Sequence, residues 1–595
     1  MLQRDFAHAK FTDATMISYP LSGRTLVAKP SFATQRKLSE KPSSSTLFSA
    51  RTKFSRTGPT ESNELAIEGR QLVDYAGSEE DVSPGGLTFE EDAIGGLGRH
   101  LGVFSCTIVG RIVGAGIFLT PSTILSSVGS VGASLMLWML GFILSFCGLF
   151  IWMEFGTMFP RSGGEKVYME VAYKEPIYLS TTIIFANGVT FGYSANGCII
   201  FAQNGTLAKY LGNKGHCCRR QVVMIALDCC LIAVVQLLAI VFVTLIHGLT
   251  PRLGVYAMNV ITIFKIIILI FIMITGWVVL GGGTRVADPY ANFHRSFEGT
   301  SHISKDFATA TFTILGTYAG WLNINYVMNE VKNPVRTLKI AAPLGLSIVT
   351  VLYMMSLVSF YAAASKEELL NSGLSAAALF FQNVFGTRAA QSFISAFVAI
   401  SSLGSVLCFS FSTSRVNQEL AKEGFPLPFG NKWWASNWPT GKAPMPGLIL
   451  HLLPSIIAIL APPMKRWNFV RDLEGWPGQS INFFITMGLL NMRRMRPDIR
   501  RPFKAWFPCI ILYLGASVLC LVAPFLTPAN RVGDSPGLPY YLYCLVGMGV
   551  MASFAFFWLC WRVLLPRLLK RQLVRRHETL SDGTVVNIID WKKIQ

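Results

Sequence analysis

The groups in this chain most able to do chemistry are backbone groups released by glycine. Residues 107–121 read TIVGRIVGAGIFLTP, an apolar stretch fit to be a membrane helix, yet Gly114, Ala115 and Gly116 interrupt it. A glycine costs roughly 1 kcal/mol against alanine inside a helix, and a pair about a small residue invites the backbone out of helical geometry. A second stretch, FATATFTILGTYAGWLNINYVMNEVKNP (307–334), repeats the device with Gly316 and Gly320 flanking Thr317, Tyr318 and Ala319. Freed N–H groups bind anions, more strongly where a half-helix begins, here near Ile117; freed carbonyls bind cations.

The elements that position these breaks are membrane helices. Apolar residues make up 51% of the 595 and charged residues 14%, with mean hydropathy +0.45, which excludes an ordinary soluble domain. Beyond about residue 97, apolar runs of about 20 residues alternate with short polar breaks, each sufficient to cross about 30 Å of hydrocarbon. The pattern predicts an all-α membrane protein with twelve transmembrane helices: 101–126, 131–157, 177–203, 221–246, 253–281, 306–328, 338–364, 389–415, 446–462, 474–492, 506–527 and 540–565. Residues 1–97, rich in Ser, Thr, Gly and charge, read as a disordered N-terminal tail without the apolar core of a signal peptide. Residues 98–566 form the apolar twelve-helix body and 567–595 a C-terminal tail.

The net charge of +19 does not indicate nucleic acid. Residues 1–100 hold 12 Lys and Arg against 13 Asp and Glu, so the excess lies in the apolar body and C-terminal tail. The cluster RRMRPDIRRPFK (493–504), with Arg161, Lys166, Lys174, Lys332, Arg336, Lys339, Arg415, Lys422, Lys432 and Lys442, falls on the side of both tails. By the positive-inside rule that side is cytoplasmic. Asn204-Gly205-Thr206, a glycosylation sequon, falls on the other side. The twelve cysteines are scattered without CxxC or Cys/His spacing, so no metal, cofactor or disulfide framework is expected.

Lipid offers no hydrogen-bonding partner, so non-helical backbone at this depth survives where it lines a cavity or meets a ligand. Interrupted helices in corresponding positions, the first and sixth, point to a binding site in a five-plus-five inverted repeat. Close helix packing through small residues is the competing reading. A zwitterionic amino acid fits both sets of groups: its carboxylate on Gly114, Ala115, Gly116 and Ile117, its ammonium on Gly316, Thr317, Tyr318 and the carbonyls near Ile112 and Val113. Its side chain then lies towards Tyr318, Trp321 and the third helix.

Four stretches, VGAGIFLTPSTIL (113–125), EFGTMFPRSGGEKVYMEVAY (154–173), TYAGWLNINYVMNEVKNPVRTL (317–338) and STSRVNQELAKEGFPL (412–427), resemble successive signatures of the L-type amino acid transporter branch of the amino acid, polyamine and organocation superfamily. Within it, Arg111 before the glycine break and the LTP-ST continuation are similar to the fungal methionine permeases. The resemblance covers about residues 98–570. It implies twelve helices, the inverted repeat and secondary transport by alternating access. Many L-type relatives carry Trp-Asn where this chain has Trp321-Leu322, followed by Asn323 and Asn325, which leaves side-chain selectivity open.

Charges inside apolar runs cost about 2.5–3.5 kcal/mol each and need a reason. Lys265 lies mid-way along the fifth run, and the resemblance places it where sodium-coupled cousins bind sodium. Its amine is expected to reach a carbonyl near Gly110 and Ser401 or Ser402, either carrying a coupled proton or standing in as a fixed cation. Arg111 is expected to pair with Glu154 or Glu330 at a gate shaped also by Trp321, whereas Asp228 and His451 read as packing residues. Lys332, Lys339 and the arginines of 493–501 read as a solvated face. The resemblance makes Cys217 and Cys218 the place where a single-span partner subunit would attach, but their spacing departs from the family's and no such partner is expected. These readings converge on a plasma-membrane permease, with both termini cytoplasmic, that imports a neutral L-amino acid, foremost methionine, with a proton. A broader exchanger and a non-transporting amino acid receptor are the rivals; no enzyme constellation, metal or filter-like ring of charges is apparent.

Overall fold

The computed structural model describes residues 108–210, 221–331, 333–372, 375–460, 467–526 and 539–593, with the short strands β1 (Val82–Ser83) and β2 (Leu87–Thr88) paired antiparallel. The remainder of the expected N-terminal tail, Cys217, Cys218 and Lys332 lie outside the described residues, as does the side chain of Asp228. The body is built of helices: α1 (Val109–Ile112), α2 (Gly116–Val128), α3 (Val131–Met158), α4 (Glu165–Ala172), α5 (Leu179–Phe185), α6 (Ala195–Tyr210), α7 (Gln221–Leu249), α8 (Pro251–Leu280), α9 (Ser304–Tyr318), α10 (Pro334–Ala363), α11 (Thr387–Lys422), α12 (Met445–Leu460), α13 (Trp467–Met495), α14 (Phe507–Val522) and α15 (Leu542–Trp558). Short helices connect several of them.

Among the described residues, eight helices are long and apolar enough to cross a membrane. Four of the twelve sequence segments are not among them. The first and sixth are cut by their interruptions, α12 is 16 residues long, and α13 carries Arg471, Asp472, Glu474, Arg493 and Arg494 within its length.

Helix α8 shows how such a helix is partitioned. Met258, Thr262, Lys265, Leu269, Ile272, Gly276 and Val279 recur at three- and four-residue spacing and are buried. Tyr256, Val260, Ile263, Ile267, Phe271, Ile274 and Trp277 occupy the other side and are exposed. A helix apolar on both faces and bare on one has lipid as its solvent. Lys265 lies on the buried stripe, so its charge must be met by protein.

The C-terminal segment is not helical. Strands β3 (Arg571–Thr579) and β4 (Val585–Lys593) pair antiparallel, with Thr579 opposite Val585. Gly583, at φ +81, occupies the left-handed turn position that a side chain would strain, and the Asp582 carboxylate accepts from Thr584 N–H. The hairpin docks on the α11–α12 connection. Lys432 pairs with Glu578, Asn437 N–H donates to Asp582, and a Cβ at Gly424 would lie 2.7 Å from the Asn587 carbonyl. Arg575 Nε donates to the Tyr178 hydroxyl at 2.5 Å, reaching across to the start of α5.

Candidate functional site

The first glycine interruption is a gap of three residues. α1 ends at Ile112, Val113 has ψ 81, and α2 begins at Gly116. The first backbone bonds of α2 are those of Phe118 and Leu119 N–H to Ala115 O, both 3.1 Å, so the amides of Ala115, Gly116 and Ile117 precede its first closed turn. The second interruption falls later than its glycines suggest. Thr317 and Tyr318 are still helical, Ala319 and Gly320 are not, and a 3₁₀ turn (Trp321–Tyr326) replaces the continuing α-helix. Gly316 therefore sits within α9, where an added Cβ meets nothing within 4 Å, so open space lies beside it.

The two breaks touch. A Cβ at Gly116 would stand 2.7 Å from Thr317 Cγ2. One at Gly320, already at φ +145, would stand 3.0 Å from the Ile112 nitrogen and 2.9 Å from Arg111 Cγ. Only glycine permits that approach, which makes this backbone contact a reason for the residue type.

The carbonyls of the first break are largely engaged by protein donors. Ile112 O accepts from Gly114 N–H and from the Tyr353 hydroxyl, both at 2.7 Å, which uses both lone pairs. Ser401 Oγ donates towards Gly114 O at 3.3 Å and Val113 O at 3.5 Å. Lys265 Nζ donates to Gly110 O at 2.9 Å and to Ser405 Oγ at 3.0 Å. The expected serine was Ser401 or Ser402; the Lys265 contact is instead with Ser405, one turn further, and the buried Ser402 hydroxyl has no partner. The serines at 401 and 405 share one face of α11 at helical spacing, whereas 402 points away.

The side chains expected at the pocket divide by role. The Tyr318 ring is buried between Trp138 and Tyr353, centroids 5.8 and 5.5 Å away. Trp321 lies immediately after the break and packs edge-on against Trp152, with Gly148 making room for its indole.

Comparison with known proteins bears directly on this arrangement. Residues 101–550 match the family described as amino acid permease. The chain belongs to that family. It is 34% identical over 499 residues to the high-affinity methionine permease of Saccharomyces cerevisiae, covering 82% of this chain and 83% of that protein. It is 32% identical over 520 residues to the low-affinity methionine permease of the same yeast, at 83% and 88% coverage. It is 30% identical over 459 residues to the b(0,+)-type amino acid transporter 1 of Mus musculus, at 76% and 86%. The family and these relatives are transporters rather than enzymes, and the permease is a multi-pass membrane protein.

The charged end of the permease corrects several pairings expected from sequence. Glu154 is buried and bound by Arg493, by Arg501 at 3.5 Å and by Ala505 N–H at 2.8 Å, while Glu330 pairs with Arg415 at 3.3 Å. Both acids expected for Arg111 are thus taken, and two arginines of the expected solvated face are clamps. Arg111 instead lies over the Phe409 ring at 4.3 Å, and Glu474 of α13 is the acid whose charge acts on it.

Around this, the quoted signatures knit into one lattice. Ser162 N–H donates to Asn329 Oδ1 at 3.0 Å and Asn329 N–H donates back to Ser162 Oγ at 2.9 Å. Tyr168 donates to Asn325 Oδ1 at 2.9 Å, and Asn323 Nδ2 donates to Ser412 Oγ at 3.1 Å. Lys166 binds Glu423 at 2.5 Å and Glu170 at 2.9 Å, and Arg161 reaches Glu419 at 3.6 Å. Burial alone would push the Glu423 carboxyl up, but Lys166 and Arg161 outweigh it and hold it down to about 2. Glu165 has no such cation, and burial pushes its carboxyl up to about 7.

One functional-looking feature was missed in the sequence. A π-helix (Ala186–Phe191) and the non-helical Gly192, Tyr193 and Ser194 interrupt the helix formed by α5 and α6. His451 holds this third break: Nδ1 donates to Gly192 O at 2.6 Å, leaving the single lone pair of Nε2 to accept from the Ser194 or the Ser410 hydroxyl, each at 3.0 Å. The glycines of FANGVTFGYSANG (185–197) were the available signal. Elsewhere, Asn204 of the sequon turns its amide to Ile200 O at 2.9 Å.

Proposed function

We propose that the permease imports a neutral L-amino acid, foremost L-methionine, together with a proton, by alternating access across the plasma membrane. The observation that carries the reading is the contact of the two breaks, Gly116 on Thr317 and Gly320 on Ile112, beside open space at Gly316 and three amides that begin a half-helix. The amides of Ala115, Gly116 and Ile117 hold the carboxylate, with Gly114 as the flexible link. The carbonyls of Gly316, Thr317 and Tyr318, with Val113, hold the ammonium. Lys265, with Ser401 and Ser405, ties the first break to α8 and α11 and serves the coupled proton. Arg111 and Trp321 gate the path. The printed names of the two yeast relatives support methionine as substrate.

This reading includes twelve membrane segments in a five-plus-five inverted repeat over residues 98–566, and tails 1–97 and 567–595 in the cytoplasm. It uses no cofactor, metal, nucleic acid or partner subunit. The test is uptake of labelled L-methionine by purified protein in liposomes, with and without an inward proton gradient, competed by unlabelled amino acids. Gradient-driven accumulation blocked best by methionine is expected. Uptake only against internal amino acid would make the permease an exchanger, and binding without flux would make it a receptor.

A further inference from the structure

The last apolar span and the C-terminal hairpin are joined without a linker. Leu542–Leu569 is one span of 28 residues, about 42 Å long at 1.5 Å per residue. Hydrocarbon takes about 30 Å and the headgroups bring a bilayer to about 40–45 Å, so the last turn of the span falls in the headgroup layer. Lys570, at φ 49, ends the helix in a left-handed turn, and β3 begins at the next residue. The register sets Arg571 opposite Lys593 and Gln572 opposite Lys592, so both outer strand ends lie beside the end of the span. Arg567, Lys570, Arg571, Lys592 and Lys593 thereby gather at headgroup level, and all five are exposed.

The cations of the hairpin divide by position. Towards its turn, Arg575 donates to the Tyr178 hydroxyl and Arg576 pairs with Glu578 at 2.9 Å. Among the described residues, none of the five at its base pairs with an acid. Asp590, the nearest acid along either strand, stands opposite Val574. Arg571 and Lys593 repel one another, because like charges directly opposite in a ladder are unfavourable. Apolar surface adjoins this charge: Leu565, Leu568 and Leu569 are exposed, Leu568 by 78%. Trp591, half-buried, precedes Lys592, and an indole beside basic residues suits a membrane interface.

We propose that the base of the hairpin binds the phosphate groups of anionic phospholipid, and that bound lipid steadies the hairpin on the α11–α12 connection. The five cations meet the headgroups while the leucines enter the acyl boundary. A soluble anion supplies the charge but not the hydrocarbon. The cytoplasmic placing of the tail, part of the reading above, makes the facing leaflet the one rich in such lipid, where each basic residue strengthens attraction about fivefold.

The test is thermal unfolding of the purified full chain in mixed micelles of phosphatidylcholine, titrated with phosphatidylserine or with inorganic phosphate. Phosphatidylserine is expected to raise the melting temperature, less so at high salt, and inorganic phosphate to leave it unchanged. Replacing all five cations by Gln is expected to weaken the apparent phosphatidylserine affinity at least about a hundredfold. Melting in phosphatidylcholine alone is expected to stay the same, since none of the five holds an acidic partner in the protein. Lys592→Gln with Lys593→Gln, the second variant should the first fail to fold, is expected to weaken that affinity at least about fivefold. A wild type that answers phosphatidylcholine or inorganic phosphate as it answers phosphatidylserine overturns the proposal. So does a response insensitive to salt, or a folded variant that keeps the wild-type response. Proteolysis of a tag placed after Gln595, in membrane vesicles of known sidedness, tests the orientation separately. Cleavage from the outer side overturns the cytoplasmic tail, while the melting result still decides the lipid.

Discussion

Replacing Gly116 by alanine separates a binding break from an ordinary helix start, because the two ideas give opposite signs. Gly116 opens α2 with a backbone conformation open to any residue, so helix propensity alone makes alanine stabilising by about 1 kcal/mol. The structure argues otherwise: the new methyl would lie 2.7 Å from Thr317 Cγ2 and 3.2 Å from its Oγ1. Overpacking of this kind costs about 1–3 kcal/mol, which cancels the helix-propensity gain and leaves a net loss of up to about 2 kcal/mol, or up to about 30-fold in kcat/KM for uptake if the breaks must close on each other. Thr317→Ser removes Cγ2 while its hydroxyl can still donate to Thr313 O, now 3.0 Å away. The double variant is therefore expected to recover most of the loss. Initial rates of labelled L-methionine uptake in liposomes, with melting of the same four proteins, close the cycle. A faster or more stable Gly116→Ala, or a coupling energy below about 0.5 kcal/mol, would refute the contact between the breaks.

Lys265→Met keeps the stem's bulk but removes the donor to Gly110 O and Ser405; uptake is expected to fall at least about tenfold, and the residue that is left to lose its dependence on external pH between 5 and 8. A pH profile parallel to the wild type would reduce Lys265 to a fixed strut. Glu165→Gln tests the uncompensated carboxyl beside the lattice of ion pairs. Its carboxyl is raised to about 7 in the folded protein, so ionising it opposes folding: the penalty is absent below about pH 4.5 and complete above about pH 7. The variant is expected to melt higher than wild type at pH 8, by an amount on the order of 3 kcal/mol at most, and equally at pH 4.5. Equal melting at both pH values would show that Glu165 is not buried as a charge.

Much of this was legible because membranes simplify the code. Long apolar runs announce helices, and glycine pairs inside them announce breaks, so the region around Gly114 and Gly320 could be found without coordinates. Position within a break could not. Gly316 looks as important as Gly320 in sequence, yet it is helical and faces space, while Gly320 adopts a backbone that excludes other residues. Partner choice was equally hidden. Arg111, Glu154, Glu330, Arg415 and Arg493 can be paired on paper in several ways, and only helix packing decides that Glu154 goes to Arg493 and Arg501, Glu330 to Arg415 and Arg111 to the Phe409 ring. The C-terminal hairpin escaped because its strands mix charge and β-branched residues on a half-exposed sheet, and a turn such as SDGT signals reversal without saying what the strands will pack on.

The first break is asymmetric in a way that orders recognition. Its carbonyls already meet Tyr353, Ser401, Ser405 and Lys265, so the protein has supplied its own donors there. Its amides at Ala115, Gly116 and Ile117 precede the first closed turn of α2. The unmet demand of this break is thus for an acceptor, which a carboxylate satisfies twice over, by hydrogen bonds and by the helix dipole. In the proposed reading the ammonium turns mainly to the other break, where α9 ends at Tyr318 and Ala319 N–H caps Gly316 O at 3.3 Å. In that reading a ligand carrying both charges on one carbon would bridge the two, and a carboxylic acid without the amine would satisfy only α2. In the proposed transport reading the two half-sites belong to different interrupted helices, so a ligand that fills both would couple their movements, while one that fills a single half-site would leave the second break to hold its own position.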